Sequence, residues 1–121
     1  MREIKFRAWD KFTGTMVNVA TLDFGAIGAE CAVDDSGING DLTSEWILEQ
    51  YTGLKDVNGV EIYEGDVVKV VSQYWGQLGN KYEVKFESGL FSVPTATLYD
   101  IKRSIKVVGN IHEQPELLEE K

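Results

Sequence analysis

The 121 residues include one cysteine, one histidine and two prolines. With Cys31 alone, no disulfide closes within the chain and no oxidising compartment is implied. Cys31 and His112 together fall short of the nitrogen and sulfur ligands that a zinc site within one chain requires. Glu61, Glu64 and Asp66 lie close in sequence and Asp34 adjoins Asp35, but no EF-hand spacing joins them, so no metal is expected. Walker-type loops and dinucleotide fingerprints are also missing, which argues against nucleotide-driven chemistry and against a bound cofactor. No apolar run approaches the ~20 residues of a membrane helix. Residues 2–9 alternate charged and apolar groups, unlike the basic start and apolar core of a signal peptide, and a cytoplasmic location is expected.

Basic residues are missing from a long stretch. Between Phe12 and Leu54 there are seven acidic side chains and no Lys or Arg, so most of the net charge of −8 falls in one segment. Such a field repels phosphate backbones and carries no information about fold. Catalytic groups are no better represented. A nucleophile with its base would have to recruit His112, beside an acidic, proline-containing tail that reads as solvated. Cys31 sits among glycines and carboxylates, which raise rather than lower a thiol pKa. Nothing singles out a working pair among the 20 acids. No catalytic residue is assigned, and the chain is not expected to be an enzyme.

What the sequence does contain is strand signal. A chain of this length fits one domain that buries roughly two-thirds of its unfolded surface. Ile4, Phe6 and Ala8 alternate with Glu3, Lys5, Arg7 and Trp9, the period of a half-buried strand, and residues 16–24 read as its returning partner across a turn at 10–14. This N-terminal hairpin spans residues 1–24. Residues 25–44 lose the pattern to glycines and turn residues, and read as a long, variable acidic connection with one short element at most. Residues 45–112 resume with strands at 46–52, 60–63 and 67–71, the last almost wholly apolar and therefore central. Asn58-Gly59 marks a tight turn between two of them. Tyr82, Val84 and Phe86 alternate inward in a further hairpin that ends at Pro94, and residues 98–101 and 104–111 supply the final strands. Residues 113–121 form a short acidic tail. The expected fold is mainly β: a small antiparallel barrel with SH3-like elements, an N-terminal hairpin and a long acidic connecting segment.

Several spaced features recur in order: Phe6-Arg7-Ala8-Trp9-Asp10; Tyr51-Thr52-Gly53-Leu54 with Asp56 and Gly59; Ile62-Tyr63-Glu64-Gly65-Asp66; and Gly109-Asn110-Ile111-His112-Glu113 before Pro115. In these the chain resembles the YopX family of phage and prophage proteins, at both ends and the centre but not over residues 25–44. The resemblance implies a single β-rich YopX-like domain and a phage or prophage gene, hence a bacterial host cell, in a family of uncharacterised role, and it contributes no catalytic residues. Turn chemistry explains the same residues: Gly53, Gly59 and Gly65 suit turns, and Asp56 and Asp66 suit carboxylates that bond backbone N–H groups.

Two binding surfaces are expected. Residues 73–80 form a loop with few charges in which Tyr74, Trp75 and Leu78 are anchors of the kind favoured in protein interfaces, and a homo-oligomer or another protein is the first expectation. The bland reading folds these side chains back over the barrel. The alternative partner is nucleic acid, reached through Arg2, Lys5, Arg7 and Lys11 at the start and Lys102, Arg103 and Lys106 near the end; charge-balanced strand faces explain the same residues. No membrane partner is expected.

Overall fold

A computed structural model of the chain describes residues 3–25, 28–42 and 44–118. They form twelve β-strands, one four-residue α-helix and two short 3-10 turns, and every strand pairing is antiparallel. The chain divides into two compact units, Glu3–Gln50 and the residues from Tyr51 on.

In the first unit, β1 (Phe6–Asp10) and β2 (Thr15–Gly25) make the expected hairpin, with Asp10 opposite Thr15. Its turn is held by Asp10, whose Oδ1 accepts the N–H groups of Phe12 and Thr13 at 2.9 and 3.3 Å. β3 (Gly28–Asp34) pairs with β2, β4 (Asn39–Asp41) pairs with β3, and the first half of β5 (Trp46–Lys55) pairs with β1. Ala8, Ala32 and Trp46 form the buried centre. A Cβ on the buried Gly40 would fall inside the Trp46 ring, so only glycine lets β4 lie against that indole. Arg7 and Glu49 stand directly opposite on β1 and β5, and Arg7 Nε donates to Glu49 Oε1 at 2.9 Å. The acidic connection expected over 25–44, with one short element at most, thus holds two strands. Asp34 makes the difference: its Oδ1 accepts the Ser36 and Ile38 N–H groups at 2.9 Å each and bends β3 into β4. Residues 26, 27 and 43 lie outside the description.

In the second unit, the far half of β5 pairs with β6 (Glu61–Tyr63). β7 (Asp66–Val70) is central, as its apolar run predicts, between β12 (Ile105–Asn110) and β8 (Lys81–Glu83). β9 (Lys85–Glu87), β10 (Leu90–Val93) and β11 (Ala96–Thr97) form a third ladder. The core combines Ile62, Val68, Val70, Val84, Val93, Leu98, Ile101 and Ile105.

Three expectations are corrected here. The strands do not close into a barrel: among the described residues β7, β8 and β12 make one ladder and β9, β10 and β11 another. The hairpin strand breaks at Val84, whose N–H and C=O both turn to the β6–β7 corner, bonding Asp66 and Gly65 at 2.9 and 2.8 Å. The inward alternation therefore fails beyond Val84: Val84 is fully buried and Tyr82 partly so, whereas Phe86 is 53% exposed and stacks edge-on against Phe91 at 5.0 Å. Residues 98–101 are not a strand but the helix α1 (Leu98–Ile101), capped by the Thr97 hydroxyl on the Asp100 N–H.

The corner between β5 and β6 rests on Asp56. Its buried carboxylate accepts the N–H groups of Asn58 and Val60 on Oδ1, at 2.8 and 2.9 Å, and of Val107 on Oδ2, at 2.8 Å. Removing a charged acceptor from buried donors costs about 1–3 kcal/mol for each group left unsatisfied. Asp56→Ala is expected to lower unfolding free energy by roughly 3 kcal/mol, read from the urea midpoint with an unchanged slope.

The first unit is also acid-sensitive. At Asp34 the Ser36 hydroxyl, followed by the Ile38 N–H, holds the carboxyl below its ordinary value. At Asp10 partial burial acts upward, but bonds from Phe12, Thr13 and Trp46 outweigh it and the value is again lowered. Depressed carboxyls stabilise the fold above their unfolded pKa and lose that contribution as pH falls through the folded value. Stability should therefore fall on acidification below about pH 4, less steeply in Asp34→Ala, with both carbon titrations by NMR centred below the ordinary Asp midpoint.

Candidate functional site

After β7 the chain does not turn back at once. Residues 71–80 form an ordered loop whose ends are pinned by bonds from the Gly79 N–H to the Val70 C=O and from the Val70 N–H to the Asn80 C=O, both 2.8 Å. Inside it the Gln77 N–H reaches the Tyr74 C=O, and the Asn80 N–H reaches the Gln77 C=O, each at 2.9 Å. The Gln77 side chain adds a brace, its Oε1 accepting from the Tyr82 hydroxyl at 2.9 Å and from the Thr95 hydroxyl at 2.6 Å.

This frame separates the three residues picked out by sequence. Tyr74 packs against the core of the second unit, as the bland reading has it. Trp75 is turned the other way, 87% exposed, and Leu78 is 54% exposed. Trp75 also has a φ of 47°, left-handed backbone that bulky residues rarely adopt. A strained, ordered backbone thus holds a bare indole in water.

The second unit also holds a cleft of about 490 Å3, lined by Tyr51, Leu54, Lys55, Asp56, Val57, Lys102 and Arg103 with Gly53. Lys102 and Arg103 reach it from the 3-10 turn Lys102–Ser104 that follows α1, and Lys102 Nζ lies 4.1 Å from the centre of the Tyr99 ring. Lys106 does not line it. Across the adjoining ladder Lys106 stands opposite Lys69, and Lys69 opposite Lys81. Sequence reasoning found Lys102, Arg103 and Lys106 as a linear cluster. It missed Lys55 and Tyr51, because no local spacing links a strand end to a turn some fifty residues later. Of the N-terminal basic residues, Arg2 lies outside the description, Lys5 pairs with Glu3 at 3.4 Å, and Arg7 is engaged with Glu49.

Cys31 and His112 are not brought together with other ligands: among the described residues no three His, Cys, Asp or Glu side chains converge on a metal-sized position. The Cys31 thiol is held above its ordinary value, first by partial burial and then by Asp23, whose carboxylate it faces at 3.7 Å, with Glu30 and Asp41 adding to the effect. His112 follows Asn110, whose Oδ1 accepts the His112 and Glu113 N–H groups at 3.0 and 2.9 Å.

The spaced motif residues have the same character. Gly53, Gly59 and Gly65 all have positive φ, at 84°, 78° and 84°, and Asp66 accepts the Tyr63 N–H at 2.8 Å. Gly59, Gly65 and Asp66 make corners of the second unit, whereas Gly53, expected in a turn, lies within β5 where its pairing with β6 shifts register. The YopX protein family matches residues 5–119, motifs included. The chain belongs to the YopX family. Among solved structures, the fold is similar to protein EF1440 from Enterococcus faecalis, with a TM-score of 0.77, 27% identity, and 98% of this chain and 99% of that one covered. It is also similar to protein yopX from Bacillus subtilis, with a TM-score of 0.57, 20% identity and 97% of each chain covered, a likeness of fold alone. No curated protein matches. Among the described residues of this YopX protein no helix is long and apolar enough to cross a membrane.

A thiol with a raised pKa carries little thiolate near neutrality. Alkylation of Cys31 by iodoacetamide is expected to run slower than that of free cysteine at the same pH, with its rate still climbing where free cysteine has levelled off.

Proposed function

We propose that this YopX protein is a non-catalytic β module, encoded by a phage or prophage and acting in the host cytoplasm, that associates with protein through the loop at residues 71–80, a second copy of the chain being the first partner. The observation that carries the reading is Trp75. A left-handed conformation costs a non-glycine residue about 1–3 kcal/mol, and such strain collects where function holds a side chain in place. Here the exposed indole contributes little burial to offset that strain. Its worth lies in association: Trp has few torsions to freeze, covers a large apolar area, and is among the commonest interface anchors. Gln77 and the pinned loop ends keep the platform ordered before any partner arrives, which lowers the cost of binding. In a symmetric pair the same patch meets itself, so one exposed Trp and one exposed Leu per copy double at the contact.

Light scattering at micromolar concentration is expected to give a mass above the 13.6 kDa of one chain, and Trp75→Ala should return it to the single-chain value with an unchanged far-UV spectrum. A wild-type mass of 13.6 kDa that is the same in the variant overturns the reading. Trp75→Gly gives an independent check. Glycine relieves the left-handed strain, so at a concentration where both chains are single this variant should unfold about 1 kcal/mol harder than wild type, and at micromolar concentration it should fail to associate. Trp75 is then an element that lowers stability and serves contact.

A further inference from the structure

We infer that the unit from Tyr51 on has a second binding function: its cleft seats one nucleotide of an unpaired nucleic-acid strand. Three cations meet there, Lys55 from the end of β5 and Lys102 and Arg103 from the turn before β12. None of the three has a carboxylate partner among the described residues. The one acid lining the cleft, Asp56, turns its oxygens to three backbone N–H groups and makes no direct ion pair, so its single charge offsets only part of theirs. Three cations outnumber the two nearby acids, Asp56 in the lining and Glu61 opposite Lys55 across β5 and β6, and in a chain of net charge −8 a concavity with a positive excess marks a place for an anion.

The rest of the lining narrows the class of anion. Leu54 and Val57 supply apolar surface beside the cations, with the edge of the buried Tyr51 behind them, and Tyr99, outside the lining but 67% exposed, flanks Lys102. A ligand that uses both carries an apolar part and an anionic group, as a nucleotide does with its base and phosphate. The cleft is shallow and open to solvent, with room for one splayed-out nucleotide and not for a duplex. Arginine matches phosphate with a planar two-point fork, and its neighbour lysine adds a point charge.

A second group of cations favours a strand over a free nucleotide. Lys106, Lys69 and Lys81 stand in register across β12, β7 and β8, side by side on one face. Like charges directly opposite destabilise a sheet. Lys69 and Lys106 have no carboxylate partner among the described residues to relieve that repulsion. A polyanion relieves it, with successive phosphates following the cation rows while aromatic and aliphatic surface receives a base.

The test is fluorescence anisotropy of a labelled oligothymidylate of about ten nucleotides, at low salt, with thymidine monophosphate as competitor. Saturable binding is expected, with log K falling against log salt at a slope of about −2 for three cleft contacts and more steeply if the lysine row takes part. Lys102→Ala with Arg103→Ala should weaken binding at least about tenfold and flatten the slope by roughly 1.4. Lys69→Ala with Lys106→Ala should weaken the strand and leave the monophosphate unaffected. Lys85→Ala, an exposed cation outside both groups, should bind as wild type. All these side chains lie at the surface, and unchanged far-UV spectra will show that the variants fold. No anisotropy rise at low salt, or Lys102/Arg103 variants that bind as wild type, overturns the proposal. Displacement by equimolar monophosphate overturns the strand and leaves the cleft to a free nucleotide.

Discussion

The carboxylate of Asp56 accepts three backbone N–H groups from two distant stretches of chain, two in the turn it begins and one at Val107 on the last strand. It thereby decides where β5 ends, how sharply the chain turns at Gly59, and where β12 lies. Two backbone bonds strengthen the same corner, from the Asp56 N–H to the Val60 C=O and from the Val57 N–H to the Ile105 C=O, at 2.9 and 3.1 Å. The cleft depends on it too, because Lys55 and Val57 flank Asp56 in the chain and Lys102 and Arg103 lead directly into the strand it anchors.

The YopX signature is largely a set of such corners. Asp56, Gly59, Gly65, Asp66 and Asn110 each satisfy or permit backbone geometry at a place where the chain reverses. Gly109 lies within β12 at the register shift after Val107, where a Cβ would press on the movable ends of Gln114 and Leu117. The motif residues therefore record how the fold is built. The groups that face solvent with unspent binding capacity, Trp75, Leu78, Lys55, Lys102 and Arg103, lie outside the motif or at its margins. A family signature of this kind identifies the fold and is silent on partners.

How much of this could be read in the sequence follows from the range of the interactions involved. β1, β2, β6 and β7 were legible because period-2 alternation, an Asn-Gly turn and a buried apolar run are local signals. Residues 28–41 were not, because β3 and β4 bury little beyond Ala32 and are joined by an Asx turn that looks like loop when read as composition. Residues 98–101 were misread because four residues are too few to show a period: Leu98 and Ile101, three apart, share one face of a helical turn and would fall on opposite faces of a strand. Phe86 was placed inside because alternation assumes an unbroken ladder, and the break at Val84 is a tertiary event. Of the candidate sites, Trp75 was legible as an aromatic in a charge-poor loop, but its exposure depends on Gln77 meeting Tyr82 and Thr95, and no pattern in the sequence announces that contact.

The contrast between two of the indoles has an optical consequence. Trp46 is 3% exposed and lies over Gly40, while Trp75 is 87% exposed. The first is shielded from water and from dissolved quenchers; the second is open to both. Their emission therefore separates by wavelength and by quencher access, the blue, protected part reporting on the core of the first unit and the red, quenchable part on the loop of the second. The protein thus carries a native fluorophore at the surface proposed for contact and another in a core, so that docking and unfolding register as different spectral changes in a single unlabelled sample.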